Sequence, residues 1–276
     1  MRSGGSACTL DSLREGACHL WYLHPDSFDR VSSGDSLLHH GMTFLSTDET
    51  ARYGRFLVPH ARRTFLAARV LVRSLLSAYA PIRPAAWYFD TNQWGRPYIA
   101  NPDAPTGLVF NLSHKPGMAV CLVGCQRDLG VDVEDLTASR SYLLEIADRF
   151  FSPSEVVALR QLPDAKHAQR FFELWTLKEA YIKARGMGLS LGLSGFSFSP
   201  DEGPAPVGAT VQFDKDFDDK HPEAWDFRFF RPEENHLIAT AVRRSPAPLT
   251  IEMRDAEELV RRTLTDSTLS RSTLLA

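Results

Sequence analysis

Hydrophobic positions in the first half of the chain predict strands on either side of one long helix. A strand is expected near His19–Leu23, followed by a charged loop. Apolar residues then recur at helical spacing from Ala61 to Ala80, and Pro81 ends the pattern. This helix carries a stripe of arginines that is either solvated or directed at anions: Arg62, Arg69 and Arg73. Short strands are expected at Trp87–Phe89, Gly107–Leu112 and Met118–Val123, the last two joined by a Ser-His-Lys-Pro-Gly turn.

The second half repeats this plan. A strand is expected at Gly130–Asp135. Helices are expected at Tyr142–Phe150, Pro153–Leu162 and Ala165–Arg185, and strands at Phe196–Ser199, Thr210–Phe213, Trp225–Arg231 and Leu237–Val242. Ser152 and Glu155 form a capping box, which explains Glu155 without a catalytic role, and Gly186 ends the long helix. Beyond a linker marked by Pro246 and Pro248, one amphipathic helix is expected over Arg254–Leu264.

Two segments carry candidate chemistry. In Gly130-Val-Asp-Val-Glu134, strand alternation places Asp132 and Glu134 on one face and the two valines in the core. In Trp175-Thr-Leu-Lys-Glu-Ala-Tyr-Ile-Lys183, helical spacing places Trp175, Glu179 and Lys183 on one face, with Lys178 one residue aside. If this helix packs near the strand, Glu179 becomes a third acidic ligand. Three carboxylates suit Mg²⁺, and the lysines would hold phosphate charge.

Composition narrows the class of protein. The chain has 276 residues, 43% of them hydrophobic, which is enough for one large domain or two modest ones. A net charge of −3 argues against bulk binding of nucleic acid. With no apolar run long enough for a membrane span and a polar start to the chain, we expect a cytoplasmic protein that does not enter a membrane. Four cysteines without metal-binding spacing are expected to be buried or incidental thiols: Cys8, Cys18, Cys121 and Cys125.

The two segments together resemble the signature of the 4′-phosphopantetheinyl transferases of the surfactin-synthetase type. Three further stretches of this chain look like motifs of that family: Trp94-Gly-Arg-Pro97, Phe110-Asn-Leu-Ser-His114 and Arg149-Phe-Phe-Ser-Pro-Ser-Glu155. The resemblance spans residues 44–242. It implies an α+β fold of two similar halves related by a pseudo-twofold, with the active site in the cleft between them. We accordingly expect an N-terminal half at 1–126, a C-terminal half at 127–243 and an extension at 244–276.

The resemblance implies transfer of the phosphopantetheine arm of coenzyme A to a serine hydroxyl of an apo carrier protein, with release of adenosine 3′,5′-bisphosphate. Asp132, Glu134 and Glu179 would bind Mg²⁺, and Lys183 would stabilise the leaving bisphosphate. Glu179 is the expected general base, acting directly or through a metal-bound water, and Glu155 is a less favoured alternative.

Further residues are assigned to coenzyme A by their place in the family motifs. Ser113 and His114 match the family's phosphate-contacting pair, Arg96 matches the basic residue beside the adenine, and Lys178 is added as a phosphate contact. Arg52 aligns with a lysine that grips the 3′-phosphate. A second lysine of that cluster is replaced here by Glu49, so three arginines are candidates to compensate: Arg55, Arg62 and Arg69. Trp175 is expected to pack in the core, although it could instead line the pantetheine channel.

The expected protein partners are apo acyl, aryl or peptidyl carrier proteins, bound transiently by a monomer with a pseudo-dimeric fold. A basic patch for the acidic carrier helix is expected from Arg149, Lys166, Arg170 or Arg185. Two other hypotheses remain open. One is a different Mg²⁺-dependent phosphotransferase or phosphohydrolase without a protein acceptor; the other is a catalytically silent module that binds coenzyme A or carrier proteins.

Overall fold

The structure is a computed structural model that describes residues 10–29, 34–137 and 142–265. The N-terminal half consists of α1 (Leu10–Arg14), β1 (Ala17–Leu23), α2 (Gly34–Met42), α3 (Thr47–Arg55), α4 (Pro59–Tyr79), β2 (Phe89–Thr91), β3 (Pro97–Ile99), β4 (Leu108–Lys115) and β5 (Met118–Cys125). The C-terminal half consists of β6 (Leu129–Asp135), α5 (Leu143–Phe150), α6 (Pro153–Gln161), α7 (Asp164–Arg185), β7 (Phe196–Pro200), β8 (Val207–Phe213), β9 (Trp225–Glu233) and β10 (His236–Arg243). Two elements follow, β11 (Thr250–Asp255) and α8 (Glu257–Thr265).

Each half packs one long helix against a largely antiparallel sheet. In the N-terminal half the strand order is β11-β1-β5-β4, and the apolar side chains of α4 pack on this sheet. In the C-terminal half the order is β6-β10-β9-β8-β7, and α7 covers that sheet. The α+β architecture of two similar halves is therefore confirmed.

A third apolar cluster joins the two halves. It combines side chains of β1, β5, β6 and β10, including Leu122 and Val131. Beside it, the Asn111 side chain on β4 accepts a hydrogen bond from the Val131 backbone amide at 2.9 Å. Strand β4 therefore lies next to β6, although the two strands belong to different sheets.

The structure corrects several predicted elements. The charged loop after β1 contains two helices, α2 and α3, and a Ser46–Glu49 capping box begins the second of these. The strand expected at Trp87–Phe89 begins only at Phe89. The helix expected over Arg254–Leu264 begins at Glu257, because Arg254 belongs to β11, which pairs in parallel with β1. The local sequence pattern of residues 250–255 does not show that this segment pairs with the open edge of a sheet.

The hairpin between β4 and β5 is also tighter than expected. Lys115 pairs with Met118, so only Pro116 and Gly117 form the turn, and Gly117 has a φ of 85°. Ser113 and His114 consequently lie on the strand rather than in the turn. In the described part of the chain, no helix is long and apolar enough to cross a membrane.

Candidate active site

The site begins with a close contact between β6 and α7. A Cβ atom at Gly130 would lie 2.1 Å from the Ala180 carbonyl oxygen and 2.5 Å from the Ala184 nitrogen. Only glycine fits there, so the strand touches the helix backbone directly. The alternation along β6 is as predicted, with Val131 and Val133 in the core between the halves.

Asp132 is the centre of the site. The Lys183 Nζ lies 2.6 Å from Asp132 Oδ1 and 2.8 Å from the Ser113 hydroxyl, which itself donates to Asp132 Oδ1 at 2.9 Å. The other oxygen, Asp132 Oδ2, is buried without a hydrogen-bond partner. Leaving such an oxygen unpaired costs free energy, so this atom indicates a place for a further ligand.

Glu134 and Glu179 complete the acidic group. Lys115 binds Glu134 through an Nζ–Oε1 contact of 3.1 Å. Burial and then repulsion from Asp132 raise the pKa of Glu134 to about 7, against the attraction of Lys115. The same two causes raise the pKa of Glu179. Like charges that crowd each other in this way are relieved by a bound cation.

The acidic group fits a magnesium ion in its chemistry. Among the residues that the structure describes, no three His, Cys, Asp or Glu side chains are arranged to hold a metal ion as they stand. Nevertheless, the carboxylates of Asp132, Glu134 and Glu179 offer only hard oxygen donors, and Asp132 Oδ2 has no hydrogen-bond partner. Lysine side chains now neutralise part of this negative charge.

A basic group of side chains lies near His114, which by strand alternation is on the opposite face of β4 from Ser113 and Lys115. Partial removal from water, then repulsion from Arg69, Lys183, Arg52 and Lys115, lower the pKa of His114 to about 4. The His114 side chain remains exposed to solvent and is therefore accessible to a ligand. A neutral imidazole within electrostatic range of four cations is well suited to a phosphate group.

Glu49, where the resemblance predicts a lysine, has a structural role in its own surroundings. Glu49 completes the capping box of α3 and binds Arg73 at 2.7 Å and Arg69 at 3.7 Å. Burial alone would raise the pKa of Glu49, but Arg73, the Ser46 amide and Arg69 hold it below its usual value. Arg69 also lies over the Phe65 ring, with Arg52 over the same ring, so of the three candidate arginines Arg69 shares a ring contact with Arg52.

The other two candidates lie elsewhere. Arg62 donates to the Phe56 carbonyl and covers the Tyr53 ring, while Arg55 is exposed at the end of α3. The third member of the predicted arginine stripe, Arg73, is buried rather than solvated and bonds two carbonyl groups.

Lys178 does not reach this site, and its contacts give no support to the predicted role in binding coenzyme A. Its side chain is 0% exposed, and Nζ lies 2.8 Å from Glu155 Oε2 and 2.7 Å from the carbonyl oxygens of Leu193 and Phe196. Because neighbouring helical residues point about 100° apart, Lys178 enters the core while Glu179 faces β6. Glu155 caps α6 as predicted and accepts a hydrogen bond from the Phe198 backbone amide. These contacts hold its carboxylate away from the acidic group, so they do not support Glu155 as the general base.

The Arg96 guanidinium also donates its hydrogen bonds to groups of the protein itself. Nη1 donates to the Ala184 carbonyl at 2.6 Å and Nη2 to the Leu129 carbonyl at 3.0 Å. The sequence-based contact with adenine therefore has no support from these bonds. Trp175 packs in the core as expected, stacked on Phe171 with a centroid distance of 5.8 Å.

The residues expected to form the carrier patch have mixed surroundings. Arg185 binds Asp218 at 2.7 Å and Asp219 at 3.4 Å, and Arg170 binds Glu173 at 3.1 Å. Arg149 covers the Phe150 ring, and Lys166 is exposed on α7. Of the cysteines, Cys18, Cys121 and Cys125 are buried free thiols as expected, whereas Cys8 lies outside the described residues.

Sequence reasoning missed one residue of the site, Lys115. The signal was present in the alternation of β4, because Asn111, Ser113 and Lys115 share one face. Ending the strand at Leu112 concealed it. With β4 extended, these three residues contact Val131, Asp132 and Glu134 in turn.

Both halves of the chain match models of one class of enzyme. Residues 33–127 match the family described as "4′-phosphopantetheinyl transferase, N-terminal", and residues 128–242 match the "4′-phosphopantetheinyl transferase superfamily". Through these matches and the relatives that follow, the chain belongs to the 4′-phosphopantetheinyl transferase superfamily.

Among its relatives is the 4′-phosphopantetheinyl transferase HetI of Nostoc sp., which is 36% identical over 84% of this chain and 90% of that protein. The 4′-phosphopantetheinyl transferase Sfp of Bacillus subtilis is 35% identical over 56% of this chain and 66% of its own length. A phosphopantetheinyl transferase of Thraustochytrium sp. is 30% identical over 72% of this chain and 70% of its own length.

Proposed function

We propose that this chain transfers the 4′-phosphopantetheine arm of coenzyme A to a serine hydroxyl of an apo acyl, aryl or peptidyl carrier protein. The leaving product is adenosine 3′,5′-bisphosphate. One observation carries the proposal: the carboxylates around Asp132 lie beside Lys183 and next to the cations around His114, where the halves meet. A diphosphate substrate needs both a cation-binding acidic group and basic side chains for its own charge.

Magnesium is part of this proposal. Asp132, Glu134 and Glu179 would hold the ion, and the unpartnered Asp132 Oδ2 supports this assignment. When bound, the ion would offset the negative charge of the diphosphate.

The lysines and His114 are proposed to hold the phosphates. Lys183 and Lys115 keep side-chain exposures of 27% and 40%, so both remain accessible to a ligand. Lys183 would stabilise the charge on the leaving bisphosphate. His114, neutral at pH 7 because its pKa is about 4, could donate an N–H to a phosphate oxygen, and Ser113 lies beside it on β4.

Glu179 is the proposed general base. The serine oxygen of the carrier forms a bond to the phosphorus that bears the pantetheine arm, while the bond from that phosphorus to the bridging oxygen breaks. The electron pair of the broken bond leaves with the bisphosphate, and the hydroxyl proton passes to the Glu179 carboxylate. Its raised pKa brings this base closer to neutral pH, where proton transfer is most effective.

A monomer in the cytoplasm completes the proposal. One chain supplies both sides of the site, with Ser113 and Lys115 from the N-terminal half and Asp132 and Lys183 from the C-terminal half. The buried free thiols on β1 and β5 are typical of a reducing compartment.

Intact-mass spectrometry tests this function directly. Apo acyl, aryl and peptidyl carrier proteins are incubated with the protein, coenzyme A and Mg²⁺, with EDTA as the control. We expect one phosphopantetheine to be added to each accepted carrier and the addition to be abolished by EDTA. Cleavage of coenzyme A without a carrier would instead indicate a hydrolase or another phosphotransferase, and binding without turnover would indicate a silent module.

A further inference from the structure

The Arg96 side chain crosses from one half of the protein to the other. Arg96 lies at the end of the β2–β3 turn, yet its two hydrogen bonds go to the Ala184 carbonyl on α7 and the Leu129 carbonyl on β6. A planar guanidinium presents donors in a fixed geometry, which an ammonium group does not. One side chain therefore connects the last turn of α7 to the first residue of β6.

Both connected elements carry residues of the active site. Ala184 directly follows Lys183, and Leu129 lies three residues before Asp132. Between them, Gly130 brings the two backbones into direct contact. The two hydrogen bonds of Arg96 join β6 to α7 beside this contact.

The turn that carries Arg96 is itself ordered. The Asn92 Oδ1 accepts the backbone amides of Trp94 at 3.0 Å and Arg96 at 2.9 Å. The Asn92 Nδ2 donates to the Gly186 carbonyl at 2.7 Å, just beyond the end of α7. The hairpin thus contacts the C-terminal end of the helix at two adjacent points and presents Arg96 in one orientation.

Gly186 leaves room for this arrangement. Its φ of 66° is the left-handed conformation of a helix C-cap. A Cβ atom there would lie 2.9 Å from Arg96 Cδ and 3.2 Å from Nη1. The glycine is needed for its conformation and also for the space that Arg96 occupies.

We propose that Arg96 is a positioning residue that clamps β6 to α7 and so keeps Asp132 and Glu134 in register with Glu179 and Lys183. This inference rests on the proposed function for its kinetic consequence, but the clamp itself concerns only the folded chain. It replaces the expected contact between Arg96 and adenine with a contact that the structure contains.

The kinetic test uses Arg96→Met and Arg96→Lys. Methionine removes both hydrogen bonds, and lysine can reach only one carbonyl at a time. We expect kcat to fall about 10- to 100-fold and the half-saturating Mg²⁺ concentration to rise about tenfold, while KM for coenzyme A changes little. Arg160→Met, at an exposed arginine of α6, is the matched control and should leave all three values unchanged.

Two readouts do not depend on turnover. Hydrogen exchange of the amides of β6 and the last two turns of α7 should become about tenfold faster in Arg96→Met. Binding of Mn²⁺, counted as free ion by electron paramagnetic resonance, should weaken in parallel. Gly186→Ala is the second variant. Its added methyl group displaces the Arg96 guanidinium without removing it, so amide exchange should again become faster and Mn²⁺ binding weaker.

A rise in KM for coenzyme A alone, with exchange and Mn²⁺ binding unchanged, would show that Arg96 contacts substrate and would overturn the clamp. A lower melting temperature with unchanged kinetics and Mn²⁺ binding would also overturn it. If the wild-type protein transfers nothing to any carrier, the proposed function fails, yet exchange and Mn²⁺ binding still decide whether Arg96 holds β6 against α7.

Discussion

Two carboxylates in the site, Glu134 and Glu179, hold protons more tightly than isolated side chains do. Burial and the nearby charge of Asp132 raise the pKa of both Glu134 and Glu179. Two lysines, Lys115 and Lys183, oppose this effect without cancelling it for Glu134. The three carboxylates are therefore arranged to bind a further cation. The role of each one can be tested by substituting it alone.

The role of Glu179 is tested by Glu179→Gln. The amide keeps the size of the side chain but cannot accept the serine proton and is a poorer ligand for a hard cation. We expect kcat to fall by about 10²–10⁴-fold while the dissociation constant for coenzyme A, measured by calorimetry, stays nearly constant. Glu202→Gln at an exposed position is the control. Wild-type turnover by the Glu179 variant would remove this residue as both base and ligand.

The role of Arg52 is tested with two substrates. Arg52 lies in the basic group around His114 and is exposed over Phe65. If this group grips the 3′-phosphate, Arg52→Ala should raise KM for coenzyme A about tenfold or more and leave KM for dephospho-coenzyme A unchanged. An equal loss with both substrates would place the 3′-phosphate elsewhere.

At the scale of elements, α7 has two functional faces. One face places Glu179 and Lys183 against β6, and the other sends Lys178 into the core. The Glu155–Lys178 pair ties the start of α6 to α7 and, through the Phe196 carbonyl and Phe198 amide, to β7. This internal contact is compatible only with the face of α7 that carries Lys178 pointing into the core.

Lys178→Met tests that structural role. Removing one partner of a buried pair leaves the Glu155 charge uncompensated, so the free energy of unfolding in urea should fall by roughly 3–5 kcal/mol. Lys166→Met, at an exposed lysine of the same helix, should leave the unfolding curve unchanged. Weaker binding of coenzyme A with unaltered stability would favour the original sequence-based role of Lys178.

At the scale of the whole molecule, the chain after the C-terminal half returns to the N-terminal half. Strand β11 pairs with β1, and the buried Val260 and Leu264 of α8 join the core around α4. The N-terminal sheet is thus built from both ends of the described chain. Its stability depends on contacts between residues more than two hundred positions apart.

This sheet contains a buried histidine that makes its stability depend on pH. The Tyr79 hydroxyl accepts a hydrogen bond from Trp21 Nε1 at 3.1 Å and is hydrogen-bonded to His19 Nδ1 at 2.7 Å. Burial, then repulsion from Arg254 on β11, lower the pKa of His19 to about 4, with Glu252 opposing. The unfolded chain, with a pKa near 6.5, binds this proton first.

Stability should therefore be lost as pH falls from 6.5 through 4. Across the interval between the two pKa values, protonation of His19 should lower the free energy of unfolding by roughly 3 kcal/mol. Chemical unfolding of the wild type and His19→Gln across this range should show the wild type losing more stability on acidification. Parallel pH curves for the two proteins would mean that His19 is not the titrating group.

The sequence by itself determined which residues could form the site. Two of its patterns are local periodicities and are found again in the structure. They are the alternation of Gly130–Asp135 and the helical spacing of Trp175, Glu179 and Lys183. The Ser152–Glu155 capping box and the Gly186 C-cap were equally predictable, because capping depends on residues three or four positions apart.

Only the tertiary structure decided which partner each charged side chain takes. Lys178 and Glu179 are neighbours with similar helical preference, and packing against α6 and β6 separates a core cation from a site carboxylate. Arg96 finds its carbonyls in the other half, and β11 finds its pairing at the edge of β1. Such contacts join residues far apart along the chain, so no local pattern of the sequence contains them.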